Sequence, residues 1–236
     1  MKTIRGILMA YLLLTMTPTL HAQGGAASLH PDLRAWLDAR AAEHTLIPAE
    51  RRAALDSVAL QIANMGPGEV RLLYVCTHNS RRSQIAQLTA QAASHYHGVP
   101  ATTYSAGTEA TAFHRNAIEA LRRAGFRIAQ RGPTPSPNPI QMVNLGADLP
   151  QVEAFSKKID DPANPKRLFV AVMVCDHASE TCPVVAGASL RVALTYTDPK
   201  LSDGTPEEAA TYDARCQQIG REQLYLMQQI ARLRKS

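Results

Sequence analysis

Aromatic residues are scarce in this chain, at 5% of 236 residues with a single tryptophan. Basic residues exceed acidic ones, giving a formal charge of +5. No dense basic run with interleaved aromatics accompanies that excess, so no nucleic-acid partner is expected. Only four cysteines occur, Cys76, Cys175, Cys182 and Cys216. None has the close paired spacing of a zinc site, so no metal and no cofactor are expected. No internal repeat is evident. Long apolar runs are also missing: the one at residues 7–14 is too short for a comfortable membrane span.

That run belongs to a different kind of signal. Lys2 and Arg5 precede it, and small and polar residues at 17–22 follow it. The pattern is that of a secretory signal cleaved after Ala22, which makes the protein periplasmic or otherwise exported, with no stable membrane span after cleavage. An uncleaved anchor is the alternative. Residues 23–31 are rich in Gly, Ala and Ser and read as a loose tether. Pro31 and Pro48 then open two helices, with Leu33, Trp36 and Leu37 on one face of the first and Leu55, Val58, Ala59 and Ile62 at helical spacing in the second. They read as a packing appendage rather than a partner-binding module.

From residue 71 onward, strands and helices alternate. Apolar runs predict strands at 71–75, 102–105, 168–174 and 190–196. Helices are predicted at 83–97 and 116–124, the latter closed by Gly125, and over the last thirty or so residues from a capping-box start at Thr205 to Glu208. Cys216 lies on the apolar stripe of this last helix and reads as a core residue. The segment 131–166, with seven prolines, reads as a long irregular surface insertion, a candidate lid in which Phe155, Lys157 and Lys158 tuck back over the site. The fold class is therefore α/β, a four-stranded parallel sheet flanked by helices, with an N-terminal helical extension. Ligands in such sheets sit past the carboxyl ends of the strands. Cys76, Cys175 and Asp198 each lie at or just past the end of a different predicted strand, which points to one shared site.

The most informative stretch is Tyr74-Val75-Cys76-Thr77-His78-Asn79-Ser80-Arg81-Arg82-Ser83. It places a cysteine at a strand end, then a loop, then an arginine and a serine at a helix start. Loop N–H groups and the helix N-terminus converge on one point, and the planar fork of Arg82 fits a tetrahedral oxyanion. The residues themselves suggest a thiolate nucleophile, Cys76, under an oxyanion cradle formed by Thr77, His78, Asn79, Ser80, Arg81 and Ser83.

This Cys-x5-Arg-Ser pattern, with Tyr104-Ser105-Ala106-Gly107-Thr108 and Asp198-Pro199, resembles the low-molecular-weight protein tyrosine phosphatase superfamily, which includes thioredoxin-coupled arsenate reductases. The resemblance implies Cys76 as nucleophile, Arg82 as oxyanion clamp, Asn79 as the residue that shapes the loop, Ser83 as support for the thiolate and Asp198 as general acid. It also implies residues 69–236 as the catalytic domain, after the signal at 1–22 and the tether and two-helix extension at 23–68. His78 and Arg81 depart from the commoner Gly and Cys and alter the outer wall of the loop. Some relatives bind potassium near the loop. Asn79 and Ser105 match two of the implied ligands, but Gln87 stands where an acidic one is expected, so no potassium is assigned.

The stretch Cys175-Asp176-His177-Ala178-Ser179-Glu180-Thr181-Cys182-Pro183 resembles the relay segment of the reductases. The resemblance implies catalytic roles for Cys175 and Cys182, with arsenate as substrate and a thioredoxin-like reductant. After Asp198-Pro199 no aromatic follows to stack on an aryl phosphate. Three readings stay open: an arsenate reductase with a disulfide relay, a phosphatase hydrolysing phosphate esters through Cys76, Arg82 and Asp198, and a non-enzymatic oxyanion binder whose Cys175–Cys182 pair is a structural disulfide.

Overall fold

The structure, a computed structural model, describes residues 28–133, 135–181 and 184–235. The expected signal segment, residues 23–27 of the tether, and Cys182 lie outside the described residues. Among the described residues, no helix is long and apolar enough to cross a membrane.

Two helices lead, α1 (Pro31–Ala41) and α2 (Ala49–Ala63). Then come β1 (Val70–Cys76), α3 (Arg82–His97), β2 (Ala101–Gly107) and α4 (Arg115–Arg123). Three short strands follow, β3 (Arg127–Arg131), β4 (Ile140–Asn144) and β5 (Val152–Ala154). The chain ends with β6 (Phe169–Met173), α5 (Asp176–Thr181), β7 (Ala188–Ala193) and the long α6 (Glu208–Leu233).

Strands β2, β1, β6 and β7 form the expected four-stranded parallel sheet in that order. Every residue of β6 is buried, as a continuous apolar run in a parallel sheet requires. The register sets Cys76 opposite Gly107 and Val75 opposite Met173, so the carboxyl ends of the central strands meet at one edge. Helix α3 carries buried glutamines as well as apolar residues, because it lies against edge strand β2. Gln91 Oε1 accepts the Thr103 N–H at 2.9 Å, and Gln87 Nε2 donates to the Thr103 carbonyl at 3.2 Å. These bonds satisfy backbone groups that have no further strand to pair with.

Two expectations change. Residues 28–31 are not a loose tether: Leu29 is buried, the His30 N–H donates to the Leu145 carbonyl at 2.9 Å, and the His30 ring bonds Asn144 Oδ1 at 2.8 Å. The insertion is not irregular either. Strands β3, β4 and β5 make an antiparallel sheet. Prolines 133, 135, 137 and 139 fall in the β3–β4 connection rather than in a strand, where the missing N–H costs nothing.

The leading helices pack on α6. Leu33, Leu37, Leu55, Ala59 and Ile62 are fully buried, and the Trp36 ring lies where a Cβ on Gly220 of α6 would stand, 2.3 Å from the indole. Arg51 reaches Glu222 of α6 at 2.8 Å, with Glu222 only 1% exposed. Cys216 is buried in the same layer, as expected, and burial pushes its thiol up to about 12.

Candidate active site

Strand β1 delivers Cys76 into a loop that returns its backbone to the N-terminus of α3. Asn79 makes that turn in the left-handed region, at φ 46. Its side chain is locked from several sides. Asn79 Nδ2 donates to Ser83 Oγ at 2.8 Å, and Asn79 Oδ1 accepts the Lys157 N–H at 2.9 Å and Gln84 Nε2 at 3.2 Å. Ser83 Oγ in turn lies 3.0 Å from Cys76 Sγ. With Asn79 donating to it, that hydroxyl is free to turn its own proton toward a thiolate.

The loop is braced from outside by the chain after β2 and by residues 155–158. Thr108 N donates to the Cys76 carbonyl at 3.2 Å and Glu109 N to the Thr77 carbonyl at 2.8 Å. Ser156 Oγ donates to the His78 carbonyl at 2.9 Å, and Gln84 Nε2 to the Phe155 carbonyl at 2.9 Å. Phe155 and Lys157 thus buttress the loop from beneath instead of closing over it as a lid. Lys157 is buried, and burial lowers its amine to about 8. Gly107 permits the close approach: a Cβ there would stand 2.5 Å from the Thr77 carbonyl oxygen and 2.8 Å from Asn79 N.

Arg82 donates through one nitrogen to the Tyr196 carbonyl at 2.9 Å and through another to Asp198 Oδ2 at 2.7 Å. Asp198 also accepts the Lys200 N–H at 3.1 Å, capping the short 3-10 turn Pro199–Ser202. The clamp and the candidate acid are therefore in direct contact. Thr77 and Ser80 face other groups. Thr77 Oγ1 lies 3.6 Å from Cys175 Sγ, and Ser80 Oγ donates to the Ala112 carbonyl at 2.7 Å. His78 lies on the outer wall, 3.4 Å from Glu109.

Cys175 follows β6, buried at 1% exposure, and its Sγ accepts the Ala178 N–H at 3.3 Å. Cys76, Cys175 and Cys216 are free thiols. The structure thus gathers Cys76, Arg82, Cys175 and Asp198 at the carboxyl edge of the sheet.

Arg81 turns away from the cradle. Its Nε donates to Tyr212 Oη at 2.6 Å and its terminal nitrogen to Asp203 Oδ2 at 2.7 Å. Tyr212 Oη donates to Asp203 Oδ1 at 2.7 Å, and its ring stacks on His114 with centroids 5.7 Å apart. Burial raises the Asp203 carboxyl, but the Tyr212 hydroxyl and the Arg81 guanidinium outweigh it and hold the group below the ordinary value of 3.8. Burial, with Arg81 beside it, lowers His114.

The sequence is similar to several known proteins. Residues 71–143 match the model of the low molecular weight phosphotyrosine protein phosphatase family. An arsenate reductase of Halalkalibacterium halodurans is 30% identical over 137 residues, which are 58% of this chain and 79% of that protein. This chain belongs to that family. An arsenate reductase of Bacillus subtilis is 28% identical over the same shares of each chain. Among solved structures, a low molecular weight phosphotyrosine phosphatase from Vibrio cholerae is 16% identical with a TM-score of 0.44, covering 66% of this chain and 94% of that one. A thioredoxin-dependent arsenate reductase from Corynebacterium glutamicum is 19% identical with a TM-score of 0.36, covering 79% and 92%.

The potassium ligands of some family members are not reproduced in full. Gln87 Oε1 and Ser105 Oγ lack hydrogen-bond partners, but Asn79 Oδ1 already accepts two donors. Gln87 adds no charge, and it shares a cavity with the cationic Lys157 but not with Asn79 or Ser105. That set does not fit the cation. Among the described residues, no group of three His, Cys, Asp or Glu is placed to hold a metal.

Sequence reasoning missed the roles of Ser156, Gln84 and Asp203. Ser156 and Asp203 act across long sequence separations, and no local pattern marks them. Gln84 sits one position past the motif, where the side-chain type is the only signal.

Proposed function

We propose that the protein is a thiol-dependent arsenate reductase. The observation that carries this reading is the position of Cys175, whose Sγ touches the cradle through Thr77 at 3.6 Å. A second thiol there has no task in simple ester hydrolysis. The names of the family relatives at 28–30% identity support the same reading.

The Cys76 thiolate attacks arsenic, and an arsenate oxygen leaves as water with a proton from Asp198. Arg82 and the loop amides hold the remaining charge. The Cys175 thiolate then attacks Cys76 Sγ. A Cys76–Cys175 disulfide forms, and the pair of the broken S–As bond stays on arsenic, which leaves as arsenite. Cys182 attacks Cys175, frees Cys76, and leaves a Cys175–Cys182 disulfide for a thioredoxin-like dithiol to reduce. The second exchange involves the segment that follows Cys175, the short helix α5. An exported location is part of this proposal, and it calls for a donor on the same side of the membrane.

Phosphate-ester hydrolysis is the second reading, favoured by the contact of Asp198 with Arg82. The test is arsenate-dependent oxidation of a thioredoxin system, with p-nitrophenyl phosphate hydrolysis run beside it. Cys182→Ser should abolish multiple turnover of arsenate and leave ester hydrolysis intact. Thioredoxin-linked turnover that persists in this variant would refute the relay.

A further inference from the structure

Beside the cradle lies an open groove of about 510 Å³ that the proposed reaction does not use. His78, Ser80 and Arg81 form one wall, so the groove lies on the outer side of the same loop that forms the cradle. Phe113, His114 and Arg115 form the second wall, and Lys200 projects from the turn after Asp198. Five of its lining residues are Lys, Arg or His, and none is Asp or Glu.

The cations differ in how far they are committed. Arg81 is held by Asp203 and Tyr212. His78 shares the rim with Glu109, at 3.4 Å. His114 accepts the Asn116 N–H at its Nδ1, at 3.3 Å, which leaves the proton of the neutral ring on Nε2, 3.8 Å from Asp203. Arg115 and Lys200 are exposed, and among the described residues neither forms an ion pair. Arg115 has only a long contact to Asn116 Oδ1, at 3.4 Å. A concave surface lined by one sign of charge draws ions of the other sign.

We propose that this groove is a second anion subsite, which receives the distal negative group of a small organic phosphate whose phosphoryl head occupies the Cys76–Arg82 loop. Bare arsenate or phosphate fills the cradle alone and leaves Arg115 and Lys200 unused. A small molecule with two anionic ends satisfies both. The inference goes beyond the reductase reading and depends only on the loop as an oxyanion cradle.

The test is calorimetry on the full chain at low salt, with inorganic phosphate and 1,3-propanediol bisphosphate as probes. The bisphosphate should bind at least about tenfold more tightly than phosphate, with the advantage shrinking at high salt. Arg115→Ala combined with Lys200→Ala should bring the two affinities within about twofold of each other while leaving phosphate binding unchanged. The Lys200 N–H that caps Asp198 is retained in that variant. Equal affinities in the unaltered protein, or an advantage that survives the double substitution, would overturn the subsite. If neither anion binds, the cradle and the subsite fall together, whereas failure of arsenate turnover alone leaves the subsite standing.

Discussion

Arg81 offers the sharpest test of how this site is assembled. It stands in the loop beside Arg82, yet its guanidinium points outward to Asp203 and Tyr212. Asp203 closes the turn that begins at Asp198, so one side chain ties the cradle to the segment that carries the candidate acid. Arg81 is 13% exposed and Asp203 28%, so the pair is largely shielded from solvent. A hydrogen bond to a charged group contributes about 1.5–3 kcal/mol. Arg81→Met removes two such bonds but leaves Asp203 its bond from Tyr212, so the expected loss is about 2–3 kcal/mol. For a chain of this size that is about 5–10 °C in Tm. The pH dependence supplies an independent sign. Asp203 is held below its ordinary value in the fold. Its contribution is therefore full above the unfolded carboxylate value of about 4 and is lost as pH falls through the lower folded value. The variant should lose part of that acid-limb slope. Its ester hydrolysis should fall more for phenyl phosphate, whose leaving group needs a proton, than for p-nitrophenyl phosphate. A Tm within about 1 °C of the unaltered protein, together with an unchanged ratio of the two esters, would refute the tether.

Two further outcomes follow from the scaffold. Gly107→Ala sets a Cβ 2.2 Å from the Glu109 carbonyl and 2.5 Å from that of Thr77, both backbone atoms, so anion binding should fall by at least about tenfold and stability by about 1–3 kcal/mol, read by calorimetry and urea unfolding. Lys157 has its amine lowered to about 8 by burial. The unfolded chain binds the proton more tightly, so stability should rise with pH between about 8 and 10.4. Lys157→Met should flatten that rise and raise stability at pH 7 by about 1–3 kcal/mol, measured by urea unfolding across the range.

The parallel sheet was legible because its strands are apolar runs that end at chemistry-bearing residues. Val70–Cys76 and Phe169–Met173 are buried almost throughout, and no helical period competes with them. The antiparallel sheet was not legible. Strand β3 is mostly exposed and β5 has three residues, so neither presents the apolar run or the length that marks a strand. The start of the last helix was half legible. Glu208 acts as a cap, but on the Gly204 N–H at 2.7 Å, while Thr205 bonds the Ser202 carbonyl instead of the helix. In the site, Cys76, Arg82 and Ser83 were readable as a motif with fixed offsets, and Asp198 as the residue just past a predicted strand. Ser156 and Lys157 were not, because they reach the loop from 78 residues away through a hydroxyl and a backbone N–H. Any sequence with the right backbone path supplies the second of these. Arg81 was read as part of the cradle, and its outward turn was not legible because its partners lie 122 and 131 residues further on.

The proposed relay is ordered if there is a reason for α5 to open when Cys175 has been oxidised and not before. The bond from Ala178 N–H to Cys175 Sγ provides one. A thiolate accepts such a bond strongly, because it carries a full charge, and a disulfide sulfur accepts it weakly. On the proposed relay, that bond would hold the first turn of α5 when Cys175 is the attacking thiolate and would weaken once Cys175 is joined to Cys76. A helix of six residues has too few internal bonds to hold without such support. On this proposal, oxidation would loosen α5 and reduction would tighten it again, so the Cys76–Cys175 bond would form, and arsenite would depart, before Cys175 and Cys182 pair.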